Sequence, residues 1–193
     1  MDPAKMVVVS VMPCVAKKFE CERPEMRSSG FKDVDYVLTT RECAQMMKEA
    51  GIDLARLSDE EFDNPLGIST GAGVIFGATG GVMEAALRTA YELITGKEVP
   101  SIDITDVRGM EGVKEATVDI DGKQIKVAVA NTLGKARALM NSIERGEASY
   151  AFVEVMACPG GCVGGGGQTY GIDAERIAKR MESIYRLERT RKV

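Results

Sequence analysis

"ATVDIDGKQIKVAVANTLGKARALMNSIERGEASYAFVEVM", residues 116–156, carries the signals that decide the fold. Asp121-Gly122 sits between two alternating runs, where a two-residue hairpin turn needs positive φ, so the stretch opens as a β-hairpin. The second strand, Ile125 to Ala130, feeds a helix capped near Asn131 or Thr132 and ending at Gly146, and Ala151 to Met156 is the next strand. A strand, a helix and a strand in succession predict an α/β arrangement.

The same alternation extends to either side. "MVVVSV", Met6 to Val11, is β-branched and of strand length, and predicts a buried parallel strand that stops at Pro13. "VDYVLTT", residues 34–40, predicts a second strand running into the helix "RECAQMMKEAG", with Thr39 and Glu42 at capping-box spacing and Gly51 at the end. A polar connector with one helical turn follows over residues 52–67. Beyond it, glycines punctuate a loop before a helix from Gly80 to Thr95, closed by Gly96, with Val82, Ala85, Ala86, Ala90 and Leu93 as its packed face. A last helix from Asp173 places Ile177, Met181 and Ile184 on one face. Repeated strand–helix units predict a largely parallel sheet, with ligands collecting beyond the carboxyl ends of its strands.

At 193 residues the chain is long enough for one α/β domain over 1–193, or two small lobes sharing a core, and a second independent domain is not expected. Met1 to Lys5 precede the pattern and read as a disordered or vector-derived leader. No apolar run approaches the roughly 20 residues that cross a bilayer. "MDPAKMVVVSVM" lacks a secretory cleavage pattern, so the expected location is cytoplasmic, with no membrane partner. A net charge of −4 with both signs interspersed excludes a nucleic-acid footprint, and the one basic cluster, "RLERTRKV", reads as a solvated helix end. Five cysteines in such a chain are metal-binding, reactive or buried rather than disulfide-bonded, and 11 methionines suit soft ligands and an oxygen-poor cell.

Three cysteines sit in loops that follow strand-like runs: Cys14 in "VMPCVAKKFE" and Cys158 and Cys162 in "EVMACPGGCVGGGGQ". The Pro-Gly-Gly between the last two suits a backbone wrapping round an inorganic core, whose sulfurs amide groups can approach where no Cβ intervenes. The spacing alone also fits a thiol redox pair, half a zinc site or coincidence. The run Gly164 to Gly167 favours a cluster, because glycines cost conformational entropy that a plain loop has no reason to incur. A nucleotide cradle would also be glycine-rich, but the Gly-Lys-Ser/Thr ending is missing. Zinc wants four cysteine or histidine ligands and the chain has no histidine. Cys43, inside an amphipathic helix, reads as core packing, and Cys21 is too far along a helix from Cys14 to share one cubane comfortably. Three thiolates leave one position of a four-iron site open. Lys17 can donate a charge-assisted hydrogen bond to an anionic ligand with Glu20 orienting it, or the segment is simply a solvated helix start.

Taken together, "MPCVAKKFE" and "EVMACPGGCVGGGGQ" resemble the second and third active-site signatures of the iron-only, or di-iron, hydrogenases, and "GAGVIFGATGGVMEAALRTA", residues 71–90, resembles another stretch typical of that family. The resemblance implies an α/β fold with a largely parallel twisted sheet, helices on both faces and one hairpin, part of that family's catalytic domain. It implies a 4Fe-4S cluster linked to a di-iron centre (the H-cluster) for reversible reduction of protons to hydrogen. On matching positions Cys14 and Cys158 would bind the cubane, and Cys162 would bind it while bridging to the di-iron unit. Lys17 would donate to an iron-bound cyanide with Glu20 paired to it, Met12 and Met156 would line the di-iron pocket, and Phe76 would pack behind them.

The family's first signature, Thr-Ser-Cys-Cys-Pro followed by tryptophan, is absent, and this sequence has no tryptophan. That signature would supply the fourth cubane ligand and the proton-relaying cysteine. Thr169 stands where the family usually has proline, and the sequence stops short of the family's C-terminal tail. The resemblance therefore implies a fragment, natural or engineered and inactive alone, of a ferredoxin-type or NAD-linked hydrogenase. Its partners would be the missing N-terminal part or a separate subunit, and electron-carrying iron-sulfur domains or ferredoxin. A non-catalytic iron-sulfur protein of cluster assembly is the alternative, and a plain thiol redox module the third reading.

Overall fold

The structure, a computed structural model, describes residues 2–60, 63, 70–98, 112–171 and 173–190. Backbone contacts divide it into two units, 1–67 with 164–172 and 68–163 with 173–193. Parts of the predicted connector, at 61–62 and 64–67, and the last three residues of the basic cluster lie outside the described residues.

In the first unit, β1 (Val9–Met12) lies parallel to β2 (Tyr36–Thr39), with Val9 opposite Tyr36 and Met12 opposite Thr39. Pro13 ends β1, and a short helix α1 (Ala16–Glu20) follows. Thr39 closes β2 and opens α2 (Thr40–Glu49) through the expected capping box: its hydroxyl accepts from the Glu42 amide at 3.2 Å while its own amide donates to the Glu42 carboxylate at 2.8 Å. The strand read as buried over Met6–Val11 is shorter, shifted and half open, with Val9 49% and Val11 52% exposed. A β-branched run reports strand propensity, whereas burial needs layers on both faces, and among the described residues β1 pairs with β2 alone. Cys43, expected in the core, is only half-buried on α2. Within the stretch read as a disordered or vector-derived leader, Pro3–Lys5 form a 3-10 turn in which the Ala4 amide donates to the Asp2 carboxylate at 3.1 Å.

In the second unit, the hairpin is where the sequence puts it. β3 (Val113–Ile120) and β4 (Lys123–Asn131) pair antiparallel around Asp121 and Gly122, with φ of 54° and 78°. β5 (Phe152–Met156) joins the other side of β4 in parallel, after α5 (Leu133–Glu144). The side-chain period of two then sorts β4 between two layers. Val127 and Val129 pack with Ile120 against Met83 and Leu87 of α4 (Gly81–Thr95), while Ala128 and Ala130 pack against Leu139 of α5. Each large apolar side chain removed from water there contributes about 1.5–3 kcal/mol. Ahead of α4, α3 (Gly71–Val74) and a 3-10 turn, Ile75–Gly77, stand where a loop was expected, and α6 (Ala174–Thr190) packs Tyr185, Met181 and Ile184 on Ile75.

The α/β class and the helices on both faces of a sheet hold. The pairings are largely parallel as well, β1–β2 and β4–β5 against the one antiparallel hairpin β3–β4, and among the described residues the strands are divided between a two-stranded sheet and a three-stranded one. The packed face of α4 holds in part: Ala85 is buried and Ala90 packs on the core, but Met83 and Leu87 are its main buried residues and Leu93 is 82% exposed.

At the β4–α5 junction the expected cap by Asn131 or Thr132 is not made by a side chain. Thr132 sits at φ 77° and ψ 151°, a region essentially reserved for glycine, while its amide donates to the Met156 carbonyl at 2.7 Å. Replacing Thr132 with glycine removes about 1–3 kcal/mol of strain and adds about 0.5–1 kcal/mol of unfolded-state entropy. Chemical denaturation of Thr132→Gly is therefore expected to show a net gain of roughly 1 kcal/mol, and a loss would mean that the threonine is unstrained.

Candidate functional site

The first unit holds Cys14 in the loop after β1. Gly167 lies directly against that loop: its amide donates to the Pro13 carbonyl at 3.1 Å, and a Cβ on it would stand 2.7 Å from the Cys14 nitrogen. Arg41 ties the glycine run to α2. Its amide donates to the Gly167 carbonyl at 3.3 Å, and its guanidinium donates to the carbonyls of Gly166, at 2.8 Å, and Gln168 while lying 4.4 Å over the Tyr170 ring.

Met12, Lys17 and Glu20 come together on one cavity of about 180 Å³, joined by Cys21 and Met26. The Lys17 ammonium and the Glu20 carboxylate are 2.5 Å apart and about two-fifths exposed, so the pair contributes little stability and serves to orient the ammonium. Lys18 faces elsewhere, donating to the Val37 carbonyl at 3.0 Å and pairing with Glu42 at 2.9 Å. The Thr39 amide, then Lys18 and the Thr39 hydroxyl, hold the Glu42 carboxyl at about 2. Cys21, set aside in the sequence reading, is buried on the same cavity and gives its thiol to the Lys18 carbonyl at 3.2 Å.

The second unit holds Cys158 and Cys162 beyond β5. Gly160 and Gly161 turn the loop at φ 76° and 94°, and the Gly161 amide donates to the Cys158 carbonyl at 3.0 Å. The loop is pressed on the turn before α4, where a Cβ on Gly161 would stand 2.7 Å from the Thr79 nitrogen and 2.9 Å from the Gly77 oxygen. The Thr79 amide donates to the Gly160 carbonyl at 3.1 Å. Buried Glu154 on β5 accepts from the Gly80 and Met83 amides at 2.7 and 2.6 Å, capping α4 from another strand. Burial raises its carboxyl above the ordinary value, against the pull of those donors and the Val82 amide. Met156, at the end of β5, is half-buried, and Phe76, in the turn that faces Gly161, is 48% exposed.

The expected site residues thus fall into two sets: Met12, Cys14, Lys17 and Glu20 in the first unit, and Phe76, Met156, Cys158 and Cys162 in the second. None of the five cysteines forms a disulfide. Among the described residues no three Cys, Asp or Glu side chains are grouped as a ready metal site. The donor chemistry fits an iron-sulfur cluster nonetheless: half-buried thiols stand on loops whose glycines lie flush on backbone, in a chain without histidine. Sequence reading passed over Arg41, Thr79 and Glu154, and treated Asn131 only as a helix cap. The one local signal for Asn131 and Glu154 was a polar residue inside an apolar strand.

The chain matches the family described as iron only hydrogenase large subunit, C-terminal domain, over residues 1–166. It is 57% identical over 182 residues to the NADP-reducing hydrogenase subunit HndD of Solidesulfovibrio fructosivorans, covering 94% of this chain and 31% of that protein. It is 54% identical over 167 residues to the periplasmic Fe hydrogenase large subunit of Nitratidesulfovibrio vulgaris, covering 86% and 40%. A solved FeFe-hydrogenase, studied for oxygen inactivation at the 2Fe subcluster of its H cluster, superposes with a TM-score of 0.75 at 43% identity, covering 97% of this chain and 54% of that one. Similarity to cytosolic iron-sulfur assembly component 3 of Mus musculus is lower, 32% over 198 residues, covering 98% and 41%. The chain spans 31% and 40% of the length of the two curated hydrogenases.

Gly161→Ala forces a Cβ into backbone at positive φ and is expected to destabilise the protein by about 2–5 kcal/mol in urea. Gly134→Ala, in α5 with nothing within 4 Å of the new methyl, is expected to stabilise it by about 0.5–1 kcal/mol. Equal effects would deny the close approach. Glu42 has its pKa depressed from 4.5 to about 2, so its contribution to stability is present above 4.5 and is lost as pH falls through 2. Amide-exchange protection at the start of α2 should fall over that interval, and fall less steeply in Glu42→Gln.

Proposed function

This chain belongs to the family of the iron-only hydrogenase large subunit, C-terminal domain, an oxidoreductase family, and from that premise we propose that it forms part of a catalytic domain for reversible reduction of protons to hydrogen. The observation that carries the reading is the construction of the two thiol loops, each closed from behind by a glycine whose Cβ would strike facing backbone. Such a loop keeps its shape without side chains, leaving thiolates and amides for an inorganic core.

In this reading Cys14, Cys158 and Cys162 would hold a 4Fe-4S cluster, and Cys162 would also serve the di-iron centre. The H-cluster, when bound, supplies the two-electron chemistry that makes and breaks the H–H bond. Lys17, oriented by Glu20, would donate a charge-assisted hydrogen bond to an anionic ligand of the metal. Met12 and Met156 would present soft, apolar surface that keeps water from the centre, with Phe76 in a supporting position. A fourth cubane ligand and a proton-relaying group would come from a segment bearing the family's first signature, on an N-terminal part of the protein or on a separate subunit. Electrons reach it through ferredoxin-type or NAD-linked iron-sulfur partners, a reading supported by its likeness to an NADP-reducing hydrogenase subunit. The cluster-assembly alternative has the weaker support, 32% identity against 57%.

The test uses the protein together with the part carrying the first signature, matured anaerobically. Infrared spectra are expected to show carbonyl and cyanide stretches. Lys17→Ala should retain the cubane and lose roughly 10- to 100-fold in affinity for the di-iron unit, the worth of one charge-assisted hydrogen bond. A cubane without those stretches in the unsubstituted protein would favour the assembly reading.

A further inference from the structure

β4 runs through four buried apolar residues, Val127 to Ala130, and then ends on a buried amide, Asn131. Burying an amide is costly unless its hydrogens are paired, and here both are. Nδ2 donates to the Thr79 hydroxyl at 2.8 Å and to the Cys158 carbonyl at 3.1 Å. Thr79 is itself 1% exposed, and its amide holds the Gly160 carbonyl. The Cys158 carbonyl also accepts from the Gly161 amide, so the residue bearing the first thiol of the loop is gripped twice through its own backbone. The chain immediately beyond Asn131 takes the glycine-like conformation at Thr132, with its amide on the Met156 carbonyl. Strain of that kind persists only where the surroundings over-determine the backbone, and here it fixes the end of β4 against the segment that leads to Cys158.

We propose that Asn131 and Thr79 are positioning residues that hold the Cys158–Cys162 loop in a ligand-ready shape before any metal arrives. The proposal rests on the reading that these two thiols bind iron, and deepens it by assigning the backbone grip that presets them. Groups that orient ligands are worth 10- to 100-fold in metal affinity, so the effect is readable.

Asn131→Asp keeps the shape, has no N–H to give and sets a negative charge against the Cys158 carbonyl. Thr79→Val loses the hydroxyl and keeps the backbone amide, while Thr79→Ser restores the hydroxyl. In the metal-free chain, iodoacetamide alkylation mapped by peptide mass spectrometry is expected to rise about three- to tenfold at Cys158 and Cys162 in Asn131→Asp and Thr79→Val, without change at Cys14, Cys21 and Cys43. Thr79→Ser should behave as the unsubstituted chain. Anaerobic loading with ferrous iron and sulfide should need about 10- to 100-fold more iron for half-occupancy in the two disruptive variants. Unchanged alkylation at Cys158 and Cys162 in both variants overturns the proposal. A rise at all five cysteines in Asn131→Asp signals unfolding, and Thr79→Val then decides, a selective rise supporting the grip and no rise overturning it. If the unsubstituted chain takes up no iron while the selective rise is seen, the cluster reading falls and the grip stands. If it takes up iron and neither variant matters, the grip falls and the reading stands.

Discussion

The contact between Gly161 and the turn at Thr79 is the constraint on which the second unit's chemistry depends. Two backbones meet there with no side chain between them, at a distance no Cβ would allow. Hydrogen bonds finish the work: Thr79 amide to Gly160 carbonyl, Asn131 amide group to Thr79 and Cys158, and the Glu154 carboxylate on the first amides of α4. All three polar side chains are buried, so each bond is made in a medium where leaving it unmade would cost about 1–3 kcal/mol. Binding loops tolerate little slack, because a ligand misplaced by a fraction of an ångström loses the geometry that gives it affinity.

The first unit solves the same problem with less material. Among the described residues its sheet has two strands and α2 has no buried residue, while Val7 and Phe19 are largely exposed and Val9 and Val11 about half exposed. Order at Cys14 comes instead from Gly167 on the Pro13–Cys14 backbone and from Arg41, whose guanidinium reaches two carbonyls of the glycine run while stacking on Tyr170. A planar fork with several donors suits that task better than a point charge.

What the sequence makes legible is what is local. The Asp121-Gly122 hairpin and the Thr39–Glu42 capping box depend on residues within a few positions of one another, and both are formed. Thr79, Asn131 and Glu154 bind partners 27 to 81 residues away, so no window of sequence contains the interaction. The same limit explains the sheets. "MVVVSV" and "IKVAVA" announce strands without naming partners, and the two fell into separate sheets. On α4 the expected face was right at Ala85 and Ala90 but missed Met83 and Leu87, which pack where the sheet offers Val127 and Val129. The thiols were legible as a set only through family resemblance, since spacing alone left a redox pair and half a zinc site open.

We propose that the thiolates of Cys14, Cys158 and Cys162 serve one iron-sulfur cluster. Mössbauer spectra of the chain loaded anaerobically with isotopically enriched iron and sulfide test it most directly, taken alongside serine variants at each position. The account predicts a four-iron signature that is lost or altered by all three substitutions. A spectrum unchanged by Cys14→Ser, with the other two disruptive, would contradict it.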